Sequence, residues 1–260
     1  MDHLFDRINK IVERLRLAER IFLFLDYDGT LTPIVSQPEE AYLSREMKRL
    51  LLNLKRNPRI QMAIVSGRSL SDVRNRVGLK GIYYVGNHGL EVFVPKHGSK
   101  GLVSSKIFQQ LGGIRDRLNR QLGDVKGAVL EDKGCILALH YRNVDPRCVP
   151  PILMELKKEI KSSMSPLALG FGKYVFEVRP KSPVNKGIVI LELLSQAGQE
   201  GLLPLYIGDD QTDEDAFRAL KRLGITVLVG FPRLSSARYY LKDPLEVFQF
   251  LKIIQKELRS

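Results

Sequence analysis

Hydrophobic and polar positions along the chain fall into two regimes. In the first hundred residues, and again near the end, short unbroken apolar runs alternate with segments of helical period. RIFLFLD, IQMAIVSG and GIYYVGNHG predict strands, and REMKRLLLNLKRN and SLSDVRNRVG predict the helices between them. Towards the end, LLPLYIGDD, TDEDAFRALKRLG and ITVLVG predict strand, helix and strand. Continuous apolar strands separated by helices predict a parallel sheet covered on both faces. Such sheets place their sites at the carboxyl ends of the strands. Each run here meets polar residues at that end: Asp26, Ser66, Asn87 with His88, and Asp209.

From about Leu102 to Arg179 the pattern becomes β-like alternation. CILALHYRN sets Ala138, His140 and Arg142 opposite Leu137, Leu139 and Tyr141. KYVFEVRP sets Lys173, Glu177 and Arg179 opposite Tyr174, Phe176 and Val178. This predicts an antiparallel sheet whose apolar face packs on the helices FQQLGGIRDRLNRQL and PPILMELKKEIKSSM. No low-complexity linker or repeat interrupts the chain. The expected class is therefore α/β: a Rossmann-like parallel-sheet core, residues 1–101 and 184–260, with an inserted α/β domain, residues 102–183, of antiparallel sheet plus helices.

The N-terminal MDHLFDRINKIVERLRLAER carries Leu4, Phe5, Ile8, Ile11, Val12 and Leu15 at helical spacing and has no apolar signal core. It predicts an amphipathic helix lying on the domain, and its acidic residues argue against a membrane surface. No segment is long and apolar enough to span a bilayer, and a cytoplasmic location is expected.

The length, 260 residues at 44% hydrophobic, suits one large domain or a core plus a smaller one. The formal net charge of +12 attracts anions such as nucleic acid, anionic lipid or phosphorylated metabolites. A solvated basic surface without a partner accounts for it equally well. Cys135 and Cys148 lack metal-ligand spacing and suit a reducing compartment.

The stretch FLFLDYDGTLTPI sharpens the picture. An apolar strand ends in Asp26 and Asp28, followed at once by glycine. Two carboxylates brought to one spot repel unless a cation lies between them or one is protonated. Mg²⁺ suits such a place, and an aspartate can attack phosphorus. A plain turn also uses these residues. In VSGRS, Ser66 and the backbone N–H groups at Gly67 can hold phosphate oxygens, although a helix N-cap serine reads the same. Lys186 opens the helix NKGIVILELL against its dipole, so a phosphoryl group or a carboxylate should lie nearby. In YIGDDQTDEDAF, Asp213, Glu214 and Asp215 read as first-turn acids of a helix capped by Thr212. The adjacent pair Asp209 and Asp210 asks for a cation.

In this order the pieces resemble the haloacid-dehalogenase-like (HAD) phosphatase superfamily. DYDGTLTPI, VSGR, GNHGLE, EDKG with LHYR, FEVRPKSPVNKG and GDDQTDEDAF together resemble the trehalose-6-phosphate phosphatase family, from about Ile21 to the YYLKDPLEVFQFL tail. The resemblance implies a free-standing enzyme with an inserted cap. It implies Asp26 as nucleophile and Asp28 as acid and then base, with Ser66 and Lys186 holding the phosphoryl group. It implies Mg²⁺ on Asp26, the Asp28 main-chain carbonyl and Asp209, with Asp210 and Asp213 supporting water ligands or Lys186. Gly67, Arg68, Asn87 and His88 at core strand ends would meet substrate or cap. Glu131, Lys133, His140, Arg142, Lys173, Glu177 and Arg179 would read the sugar. Strict alternation puts Glu131 and Lys133 on the face opposite His140, so a bulge at Gly134 is expected if both pairs reach one ligand. The implied partner is a small sugar phosphate, with no membrane, no nucleic acid and a monomeric chain. Three other readings stay open. One is another sugar substrate: sucrose-phosphate, mannosyl-phosphoglycerate or glucosyl-phosphoglycerate. The second is a basic nucleic-acid-binding protein, for which no recognition motif is seen. The third is an inactive regulatory homologue, against which the full set Asp26, Asp28, Ser66, Lys186 and Asp209 speaks.

Overall fold

In the computed structural model, which describes residues 1–35, 38–101, 103–123, 125–162, 167–172, 174–198 and 200–258, the apolar runs become strands. The first segment contains β1 (Asp2–His3), α1 (Ile8–Leu17), β2 (Arg20–Asp26), α2 (Arg45–Arg56), β3 (Ile60–Val65), α3 (Leu70–Val77), β4 (Tyr83–Gly86), β5 (Glu91–Val94) and β6 (Gly98–Gly101). The middle contains α4 (Ser105–Leu122), β7 (Val129–Asp132), β8 (Leu137–His140), α5 (Val149–Ser162), β9 (Leu167–Gly172) and β10 (Val175–Pro180). The last contains α6 (Lys186–Ala197), β11 (Leu202–Gly208), α7 (Glu214–Leu220), β12 (Ile225–Val229), β13 (Tyr239–Leu241) and α8 (Pro244–Glu257). Two compact units result: Met1–Lys100 with Val184–Ser260, and Gly101–Pro183.

The first unit holds a sheet in the order β1-β13-β12-β11-β2-β3-β4-β5-β6. Every pair from β1 to β4 is parallel, and β5 returns antiparallel beside β4. Strand β2 lies between β11 and β3, and Ile21 to Leu25 are fully buried. A strand covered on both faces needs apolar residues at every position, hence the unbroken run. Helix α2 buries Met47, Leu50, Leu51 and Leu54, one stripe at 3.6-residue period, and starts where Ser44 accepts the Met47 N–H at 3.0 Å. These residues share a core with Ile11 and Leu15 of α1 and with Val247, Phe250, Leu251 and Ile254 of α8.

Two local readings need correction. The N-terminal helix is shorter than its apolar spacing suggests, because Asp2 and His3 pair with Tyr239 and Tyr240 and Leu4–Arg7 form a 3₁₀ turn. The run GIYYVGNHG is a strand only to Gly86. Its last three residues form a turn with left-handed Asn87 and His88, which reverses the chain into β5.

The second unit holds an antiparallel sheet, β7-β8-β10-β9. Its apolar face, Leu137, Leu139, Phe176, Val178 and Leu167, packs on Leu111, Ile114 and Leu118 of α4 and Ile152 and Leu156 of α5, as the alternation predicts. On the other face Glu131, Ala138, Glu177 and Gly170 stand side by side in register.

Candidate active site

The parallel register of three strands builds one end of the first unit's sheet. Asp26 closes β2 opposite Val65, so Ser66 follows on the neighbouring strand. On the other side Leu25 pairs with Ile207, two residues before Asp209. Lys186 is the first residue of α6, behind Asn185, whose side chain accepts the Ile188 N–H at 3.0 Å. Its ammonium is 2% exposed and donates to Asp26 Oδ1 at 2.8 Å and to Asp213 Oδ1 at 2.6 Å. The anion that the lysine's position demands is thus a pair of carboxylates. Tyr206 Oη also donates to Asp213 Oδ1, and the Asp210 N–H donates to Asp213 Oδ2 at 2.9 Å.

The electrostatics follow from burial. Asp26 is 5% exposed. Burial pushes its pKa well up, against the pull of Lys186, and Asp213 and Asp209 add to the rise. Burial likewise raises Asp209 to about 7, helped by Asp213 and Asp210. Burial lowers the Lys186 pKa, but Asp213 and Asp26 outweigh it and hold the ammonium charged. Asp210 goes the other way: burial raises it, and the backbone N–H of Gln211 with Lys186 more than compensates.

Oxygens of Asp26, Asp209 and Asp213 all lie within 4.8 Å of one another. One ammonium does not balance three carboxylates. Asp209 Oδ1 is buried with no hydrogen-bond partner among the described residues. A donor set of hard oxygens with an unused buried acceptor fits a small divalent cation such as Mg²⁺.

The neighbouring turns press in closely. Arg68 N–H donates to Ser66 Oγ at 3.1 Å. Gly67 faces the His88 ring, and a Cβ there would lie 2.4 Å from His88 Cε1. Asn87 and His88 have φ of 48° and 56°, which costs a non-glycine residue free energy and needs anchoring. The anchors are Asn87 N–H to the Arg68 carbonyl at 2.7 Å and Asn87 Nδ2 to Glu91 Oε2 at 2.6 Å. Glu91 Oε2 also accepts the Leu70 N–H at 3.0 Å, which ties the turn to α3. Asp28 is gripped by Arg68, Nε to Oδ2 and Nη2 to Oδ1, both at 2.7 Å.

Some functional candidates are new. Glu91, Tyr206 and Arg233, which donates to the Asp209 carbonyl, were not marked by the sequence pattern. The quoted GNHGLE does contain Glu91 four residues after Asn87, the one local signal available. Thr212 does not cap α7. Asp210 stands at the head of a 3₁₀ turn, Gln211–Asp213, and Thr212 Oγ1 donates to its side chain at 3.2 Å.

In the second unit Glu131 and His140 share a face, with Oε2 and Nε2 2.9 Å apart. Lys133 Nζ lies 3.8 Å from Glu131 Oε2 and 3.8 Å from Glu177 Oε1. No bulge is involved. A turn with Gly134 at φ 81° separates β7 from β8, so alternation does not carry across it. Arg179 pairs with Ala168 on β9, and its guanidinium lies beside Gly170. Arg142 is off the sheet: β8 ends at His140, and its guanidinium sits 5.2 Å from the centroid of the Tyr174 ring. Lys173 lies outside the described residues.

The family profile described as "Trehalose-phosphatase" matches residues 24–244. The chain is 37% identical to "Probable trehalose-phosphate phosphatase H" of Arabidopsis thaliana, over 95% of this chain and 76% of that protein. It is 35% identical to "Probable trehalose-phosphate phosphatase 2" of rice (Oryza sativa subsp. japonica), over 93% and 69%. Among solved structures it resembles the C-terminal domain of the Candida albicans trehalose-6-phosphate phosphatase, with a TM-score of 0.79, 27% identity and coverage of 95% and 96%.

Proposed function

The chain belongs to the trehalose-phosphatase family and is a phosphatase, and from that premise we propose that it converts trehalose 6-phosphate to trehalose and phosphate through attack of Asp26 on phosphorus. The observation that carries this reading is the buried group of Asp26, Lys186 and Asp213 beside the unpartnered oxygen of Asp209.

Asp26 is held by Lys186, which fixes its carboxylate at the strand end. Attack forms an Asp26–O–P bond as the sugar oxygen leaves. That oxygen takes a proton from Asp28. Asp28 then removes a proton from water, whose oxygen attacks the phosphorus and restores Asp26. Ser66 and Lys186 hold the transferring group. Asp26, Asp209 and the Asp28 main-chain carbonyl would hold Mg²⁺, which supplies charge neutralisation at the phosphoryl oxygens. Asp213 keeps Lys186 seated, and Asp210 orders the turn that carries Asp213. The sugar is read by the polar face of the Gly101–Pro183 unit, where Glu131, Lys133, His140 and Glu177 offer donors and acceptors to hydroxyl groups.

The test is phosphate release from a panel of sugar phosphates, with Mg²⁺ and with EDTA. Strong preference for trehalose 6-phosphate, lost in EDTA, is expected. Preference for a phosphoglycerate ester or sucrose-phosphate would overturn the substrate. Unimpaired release in EDTA would overturn the role of the metal.

A further inference from the structure

We propose that Arg68 acts on the reaction through Asp28 rather than through the substrate: it is a positioning residue, itself seated by Asp72. This rests on the role given to Asp28 above. The sequence leaves Arg68 among residues that would meet substrate, and the geometry points elsewhere.

The guanidinium meets Asp28 edge-on, Nε to Oδ2 and Nη2 to Oδ1, both at 2.7 Å. Two parallel bonds from a planar fork fix both the place and the plane of a carboxylate. Asp28 needs that help, because its side chain is 41% exposed and it lies two residues beyond the end of a strand. The Arg68 side chain is 11% exposed. Each carboxylate oxygen has two lone-pair directions. One bond from Arg68 to each oxygen leaves a second direction on each for a proton, so a held Asp28 can still give and accept one.

The support continues behind the guanidinium. Arg68 Nη1 donates to Asp72 Oδ2 at 2.9 Å, and Asp72 is fixed in turn by Arg76 Nε, at 2.8 and 2.9 Å to its two oxygens. Asp72 stands in the first turn of α3, where Ser69 accepts its N–H at 3.2 Å. A helix thus carries Asp72 and Arg76, these carry Arg68, and Arg68 carries Asp28. The backbone of Arg68 is also held, by Ser66 Oγ at its N–H and by Asn87 N–H at its carbonyl. Partners that orient the ligands of metal sites are worth about 10- to 100-fold in affinity or activity, and the same scale is expected for a fork that orients Asp28.

A double-mutant cycle separates the two roles. Arg68→Gln, Asp28→Asn and the double variant are assayed on trehalose 6-phosphate, with folding of each checked by thermal melting. Arg68→Gln alone should lower kcat by about 10- to 100-fold with little change in KM. In the Asp28→Asn background the same change should cost less than about 2-fold more. Arg68→Lys, which keeps the charge and loses the fork, should restore little. Independent, multiplying losses, or an Arg68 effect confined to KM, would overturn the proposal and make Arg68 a substrate contact. Full rescue by Lys would overturn the requirement for the fork. Full activity of Asp28→Asn would instead overturn the role of Asp28 itself, which keeps the two failures distinct.

Discussion

A Cβ atom placed on Gly29 would lie 2.1 Å from Asp209 Oδ2. The loop after the first aspartates and the acid that follows the neighbouring strand β11 are therefore packed to backbone contact. Gly29 also has φ 77°, the left-handed region that costs other residues roughly 1–2 kcal/mol. Gly29→Ala is expected to push Asp209 aside. Its stabilisation by Mg²⁺, read as a shift in thermal midpoint against EDTA, should largely disappear. An unchanged shift would show that Asp209 does not hold the ion.

Lys186 is the common partner of Asp26 and Asp213. Lys186→Met keeps the length and leaves two buried carboxylates without their cation. Breaking a buried pair from one side costs about 3–5 kcal/mol. Urea denaturation without metal should show a loss of that order, together with loss of phosphate release. A change below about 0.5 kcal/mol would mean that the carboxylates find other partners.

The polar face of the Gly101–Pro183 unit offers a test of specificity. Glu177→Gln removes the charge beside Lys133 while keeping the shape. The ratio of kcat/KM for trehalose 6-phosphate to that for p-nitrophenyl phosphate should fall at least about 10-fold, the scale of one lost hydrogen bond to a charged group. Equal losses on both would remove Glu177 from sugar reading.

Asp72 gives a pH dependence. Burial raises its pKa, and hydrogen bonds from Arg76 and Arg68 outweigh that and hold it below the ordinary value. A depressed carboxyl contributes stability above its unfolded pKa, about 3.9, and loses it as pH falls through the folded value. Asp72→Asn should therefore lower the urea midpoint at neutral pH, and the gap to the parent chain should close below about pH 4. A gap constant with pH would assign the loss to packing.

Much of this was legible in the sequence, for physical reasons that also set the limits. Asp26, Ser66 and Asp209 each follow a run that must be buried on both faces, so one parallel sheet brings them to one end. Lys186 was legible as a cation at the wrong end of a helix. Glu91, Tyr206 and Arg233 were not, because their bonds join segments far apart or pass through turns whose shape no period encodes. The pairing of Glu131 with His140 was misread because side-chain alternation holds within a strand and stops at a turn such as that at Gly134. Arg142 lies two residues beyond the end of β8, where strand alternation no longer sets the direction of a side chain. Thr212 looked like a cap, but Asp210 and Asp213 take that part as a capping box in which the Asp213 side chain accepts the Asp210 N–H, and composition does not separate this from an ordinary N-cap.

The most direct measurement is trapping of the phosphorylated enzyme. Wild-type chain is mixed with trehalose 6-phosphate and Mg²⁺, quenched in acid within one turnover, and digested for mass spectrometry. The account predicts phosphate on the peptide that carries Asp26, and none in Asp26→Asn. Rapid sugar release with no phosphorylated peptide at any quench time, or a phosphorylated peptide elsewhere in the chain, would contradict it.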